Sequence, residues 1–116
     1  MSDLPDRTKL FALRIIKLCQ YLDKQGGVAK TISNQLLRSG TSIGANVAEG
    51  EGAQSEADFL TKYSIALKEA KETQYWLDLL DLSGISEDSE LKDLKQECSE
   101  LVAILMTICK KLKNKR

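Results

Sequence analysis

One stretch limits this chain more than any other: residues 36–52, LLRSGTSIGANVAEGEG, set small residues at helical spacing between segments built from large ones. Gly40, Gly44 and Ala48 recur every four residues, so on a helix they form one narrow smooth strip bordered by Leu36, Leu37, Ile43 and Val47. Glycine costs about 1 kcal/mol relative to alanine inside a helix, so two on one face predict that another backbone approaches closely there.

The flanking segments supply the helices against which such a strip packs. Asp3 is placed to cap a first helix with Pro5 in its first turn, and Phe11, Ile15, Leu18 and Leu22 give that helix one apolar face. Gln25-Gly26-Gly27 stops it, because paired glycines permit a left-handed cap and a reversal. The second helix is expected from about Val28 to Ala48, broken by Gly50 and Gly52. Ser55 caps the third, with Asp58 as its capping-box partner, and Leu60, Tyr63, Leu67, Ala70, Gln74 and Leu77 form its seam. Tyr75, Trp76, Leu79 and Leu82 add a second apolar surface that one partner helix cannot cover, which predicts contact with another subunit. Gly84 then fits the position after the helix end, with Ile85 as its hydrophobic contact. Ser86 caps the fourth helix, where Glu87, Asp88 and Glu90 favour the positive end of the dipole. The run Leu91, Leu94, Cys98, Leu101, Leu105, Ile108 and Leu112 is the strongest periodic signal in the sequence.

Four long helices with short connections predict an all-α fold, an antiparallel up-down-up-down four-helix bundle, as a single domain over residues 1–116. No apolar run is long enough for a membrane span, and MSDLPDRTKL lacks the features of a signal peptide, so the expected location is cytoplasmic, with no membrane partner. Cys19, Cys98 and Cys109 fall among apolar helix positions and read as reduced, buried residues.

The formal net charge is zero, but the charge is unevenly spread. Residues 1–38 carry seven Lys/Arg against three Asp/Glu, residues 39–100 carry five against fourteen, and the last sixteen residues add five cations and no acid. The tail residues Lys110, Lys111, Lys113, Lys115 and Arg116, with Arg7 and Lys9 on the first helix, are the nucleic-acid-binding candidates. The plainer reading of the tail is a solubilising helix end favoured by the dipole. The bundle topology puts Arg7, Lys9 and the tail at the same end as Glu49, Glu51, Glu56 and Asp58, so part of that charge is expected to be neutralised internally.

Catalytic patterns fail on their context. Gly40-Thr41-Ser42-Ile43-Gly44 matches G-x-S-x-G, but a nucleophile elbow needs a preceding strand and a histidine base, and this sequence contains no histidine. A serine bonded back to its own helix is the alternative. Glu49, Glu69 and Glu72 could suggest a di-iron bundle, whose ligand set requires histidine. Phosphate-loop and calcium-loop patterns are absent. The expectation is no enzyme activity, no cofactor or metal, and no small-molecule substrate. Asn46 reads either as a ligand contact or as a polar residue fixing helix register. Tyr75 and Trp76 read either as a base-stacking pair or as part of a helix or subunit interface.

RSGTSIGANVAEGEG at 38–52, followed by Ser55, Asp58-Phe59 and IALKEAKETQYWL at 65–77, resembles the 23S rRNA-intervening-sequence proteins, and RTKLFALRIIKL in the first helix extends the likeness over nearly the whole chain. The resemblance implies an antiparallel four-helix protomer and, commonly, a ring-shaped homopentamer. The related accessory variability-determinant proteins of diversity-generating retroelements are basic and work with a reverse transcriptase and nucleic acid. This sequence departs from the basic pattern at Ala53 and in its neutral total charge. Within the resembling motif, Arg38, Gly40, Gly44, Asn46, Glu49, Glu69 and Glu72 are read as structural, with Arg38 expected to pair with Glu69 or Glu72 across the second and third helices. The resulting expectation is a non-enzymatic homo-oligomeric scaffold or adaptor with RNA or a protein as its further partner. The alternative is a direct nucleic-acid-binding accessory protein acting through the basic tail and the first helix.

Overall fold

The computed structural model describes residues 3–86 and 89–115, which form four helices and, among the described residues, no strand. They are α1 (Leu4–Gln25), α2 (Gly27–Glu51), α3 (Glu56–Ser83) and α4 (Ser89–Asn114). Asp3 caps α1 by accepting from the Asp6 amide at 2.9 Å, and Ser55 caps α3 by accepting from Asp58 at 3.0 Å. Gly26 and Gly27 take positive φ at the α1 to α2 reversal, and Gly84 takes φ +74° at the end of α3. Short connections of this kind force consecutive helices to lie antiparallel side by side, giving a body 47 × 25 × 20 Å. Ser86 does not act as the expected cap of α4: its hydroxyl is buried without a hydrogen-bond partner among the described residues and the helix begins at Ser89, while the expected first-turn acids at 87 and 88 lie outside the described residues.

A single core runs down the bundle, with Phe11, Ile15, Leu36, Ile43, Leu77 and Leu101 almost fully buried. The three cysteines are free and buried in it. The strip on α2 is a contact with α1. A Cβ on Gly44 would stand 3.3 Å from the Thr8 carbonyl oxygen, so the backbones do approach there, whereas Gly40 accommodates the Ile15 side chain. Ala48, at the level of the start of α1, is exposed and lines a groove with Pro5 and Gly44.

Two details differ from expectation. Gly50 does not break α2: it lies inside the helix, buried, and its missing Cβ makes room for the Tyr63 ring, while Gly52 ends the helix. On α3 the buried series is Tyr63, Ala66, Ala70, Thr73, Leu77 and Leu80, shifted from the expected seam because the helix packs against both neighbours. Leu60, Leu67 and Gln74 form its half-buried flank toward α4, where Gln74 donates to Ser99 at 3.0 Å. Thr73 donates to the Glu69 carbonyl at 2.8 Å and lies 2.9 Å from Ser39 Oγ, a buried polar contact between α2 and α3.

The α1 to α4 seam is the least intimate of the packed pairs, and ion pairs bridge it. Arg7 holds Glu97 through Nε at 2.8 Å and Nη2 at 2.7 Å and also reaches Glu100, and Arg14 reaches Glu90 at 2.8 Å. This corrects the expected placement of Arg7 beside Glu49, Glu51, Glu56 and Asp58. A bidentate guanidinium takes the carboxylate that its own level of the bundle offers, and at Arg7 that level is the middle of α4.

Candidate interaction surfaces

Three surfaces hold the residues that the sequence singles out. The first spans α2 and α3, where Arg38 bonds both Glu69, at 3.1 Å, and Glu72. Glu72 also accepts from the Trp76 indole at 3.0 Å. The Trp76 bond, followed by the Arg38 guanidinium, holds the Glu72 carboxyl below the usual carboxylate range, and Glu72 in turn raises Arg38. Below this cluster, Ser42 donates to the Arg38 carbonyl at 2.6 Å, so the serine of G-x-S-x-G is tied to its own helix. Asn46 is half-buried and donates to the Ser42 carbonyl at 2.9 Å. That bond stays within α2, while the Ser39 and Thr73 hydroxyls make a cross-helix polar contact. Glu49 pairs with Lys62 at 3.2 Å.

The second surface is the outer side of α3. Tyr75, Leu79 and Leu82 recur at i, i+4 and i+7 on the side opposite the buried Leu77 and Leu80. Leu82 is 83% exposed and Tyr75 57% exposed, while Leu79 and Trp76 are half-buried. The Tyr75 and Trp76 rings meet edge to face at 5.2 Å, which holds the indole against the protein and leaves the phenol outward.

The third surface is basic. Lys110, Lys111 and Lys113 are exposed on α4 and make no ion pair among the described residues, while Lys115 lies 3.6 Å from Glu56, the one tail cation among them that finds the expected internal partner. Arg116 lies outside the described residues. The structure separates the α1 cations from this tail. Arg7 is engaged at Glu97 and Glu100, and its guanidinium is raised first by the Glu97 bond and then by the Glu100 bond. Glu100 is about 15 Å of helix axis from Lys110. Lys9 is exposed beside a shallow groove between α1 and α2. Lys71 on α3, absent from the sequence-based set, joins Lys110 and Lys113 around a groove of about 410 Å³ between α3 and α4. Its position one turn after Leu67 was the available signal, visible only once that flank is turned toward α4.

The three cysteine thiols are buried. Burial pushes the Cys98 thiol up to about 12 and raises Cys19 as well. Among the described residues no group of three acidic or cysteine side chains could hold a metal ion, and no helix is long and apolar enough to cross a membrane.

A family model described as 23S rRNA-intervening sequence protein matches residues 3–107. The crystal structure of a protein of unknown function from the S23 ribosomal protein family of Bacteroides thetaiotaomicron is similar at a TM-score of 0.84 and 42% sequence identity, over 93% of this chain and 99% of that one. No curated protein matches the sequence.

Proposed function

This chain belongs to the 23S rRNA-intervening sequence protein family, and from that premise we propose that it is a non-enzymatic, homo-oligomeric scaffold or adaptor, cytoplasmic and RNA-associated. The observation that carries this reading is the outer face of α3. An isolated exposed leucine is ordinary, but Tyr75, Leu79 and Leu82 form a stripe at helical spacing on a helix whose other side is already buried. Burying a leucine side chain contributes about 1.5–3 kcal/mol, so a second copy covering this stripe gains a stabilising contact that the monomer lacks. Five copies in a ring is the assembly that the family resemblance implies. The non-enzymatic part is supported by the lack of histidine and by the burial of the three thiols, which raises Cys98 and Cys19.

Sedimentation velocity of wild type and of a Tyr75→Glu/Leu82→Glu variant tests it. The reading expects wild type to sediment as an oligomer and the variant as a monomer of unchanged helicity. An oligomer indifferent to both substitutions would show that this face is not the interface.

A second reading, direct phosphate contact with RNA or DNA, is favoured by Lys110, Lys111 and Lys113, which are exposed and without an ion pair among the described residues. Affinity for structured RNA and duplex DNA that falls steeply with salt, and that disappears when residues 110–116 are removed, is its expected signature. No binding at low salt would leave the tail a charged helix end.

A further inference from the structure

We infer that the groove between α3 and α4 is a docking site for an acidic amphipathic helix of a partner protein. The groove, about 410 Å³, has Leu67 and Met106 as its apolar lining, with Cys109 beneath them and Lys71, Lys110 and Lys113 around it. Met106 is 49% exposed, a flexible thioether held at the surface where it adapts to an incoming side chain. Among the described residues no carboxylate lines the groove and the three ammonium groups form no ion pair, so the described part of the protomer leaves their charge uncompensated. The α4 residues from Met106 to Lys113 span about two helical turns, roughly 10 Å, which matches two apolar anchors at i and i+4 or i+7 of a docked helix. Carboxylates beside those anchors meet the three lysines.

Nucleic acid fits the same groove less well. Neither an aromatic ring nor a guanidinium lines it, so a base finds nothing to stack on, and phosphate contacts alone leave Leu67 and Met106 uncovered. An apolar floor ringed by cations instead selects a ligand that is apolar along one line and acidic along its margins.

The inference rests on the adaptor reading for its biological meaning, but the groove belongs to one protomer, so docking and assembly fail separately. The test uses a fluorescein-labelled synthetic helix with leucines at i, i+4 and i+7 flanked by glutamates, a same-composition peptide with the leucines scattered, and a labelled single-stranded RNA. Each is titrated by anisotropy against the full chain, with native mass measured on the same samples. Saturable binding of the amphipathic peptide, about tenfold or more tighter than of the scattered one, is expected. A Lys71→Glu/Lys110→Glu/Lys113→Glu variant should weaken it by about tenfold or more, and Met106→Asp by a similar factor, with helicity and native mass unchanged. Lack of saturable binding, equal affinity for the two peptides, or RNA binding that the amphipathic peptide does not displace and the triple variant abolishes would each overturn it. Peptide binding by a chain that proves monomeric would support the groove and count against the oligomeric scaffold.

Discussion

Replacing Gly50 by alanine sets two effects against each other at the α2 to α3 turn. Alanine favours the helix interior by about 1 kcal/mol over glycine, and if propensity decided the matter the variant would be more stable. The new Cβ, however, would lie 2.6 Å from Cε1 and 2.8 Å from Cδ1 of Tyr63. That ring is only 3% exposed, is stacked on Phe59 at a centroid distance of 4.1 Å, and donates its hydroxyl to Glu51 at 3.1 Å. A rigid ring so held must shift as a unit, and overpacking of this kind costs about 1–3 kcal/mol, with about 1 kcal/mol more if the hydroxyl loses Glu51. With the Glu51 bond lost as the ring shifts, the net expectation for Gly50→Ala is a destabilisation of about 1–3 kcal/mol, a fall of roughly 4–12 °C in Tm for a chain of this length. Urea unfolding followed by helical circular dichroism at fixed protein concentration measures it. Gly52→Ala is the internal control, since its Cβ meets nothing closer than 3.8 Å and should change stability little. Gly50→Ala combined with Tyr63→Leu should cost about 1 kcal/mol less than the two changes summed, because the second removes the ring that the first strikes. A Gly50→Ala variant as stable as wild type, or more so, would refute the steric argument.

Other consequences follow from the polar contacts. Because the Trp76 and Arg38 bonds lower the folded Glu72 carboxyl relative to the unfolded chain, its stabilisation is present above about pH 4.3 and is lost as pH falls through the folded value. Glu72→Gln should therefore flatten the acid limb of the stability against pH curve, and an unchanged limb would contradict the assignment. Arg7→Ala should destabilise by about 1 kcal/mol and speed amide exchange at the start of α1, less so at high salt; Arg7→Lys should recover only part, since an ammonium cannot hold Glu97 through two bonds. Thiol labelling of the native protein should be slow at all three cysteines and track unfolding at Cys98, with Cys109 reacting first because it lies under the α3 to α4 groove.

The helices and their polar ends were legible because local rules govern them. Asp3, Ser55 and Gly84 act on residues within one turn, and the α1 and α4 periodicities each face one core. The pairing of Arg38 with Glu69 and Glu72 was readable because the short turn sets the levels of α2 and α3. What escaped depends on long-range geometry. Gly50 looks like a breaker until the Tyr63 ring is known to lie against it, and Thr73 looks like a surface residue until Ser39 stands opposite. The partners of Arg7 depend on the offset between α1 and α4, helices joined only through the other two, so no loop length specifies it. Of the basic candidates, Lys110 and Lys113 stood out by density, whereas Lys71 joins them only through packing.

The apolar stripe on the outer side of α3 carries the proposal that this protomer is one of several in an assembly. Native mass spectrometry of the purified, nuclease-treated chain, taken at two protein concentrations, tests it most directly. The expected result is a discrete closed assembly, five times the 12.9 kDa protomer, with the nuclease treatment leaving no added mass from RNA. A species at the protomer mass at both concentrations would contradict it, leaving the apolar stripe of Tyr75, Leu79 and Leu82 without its proposed partner.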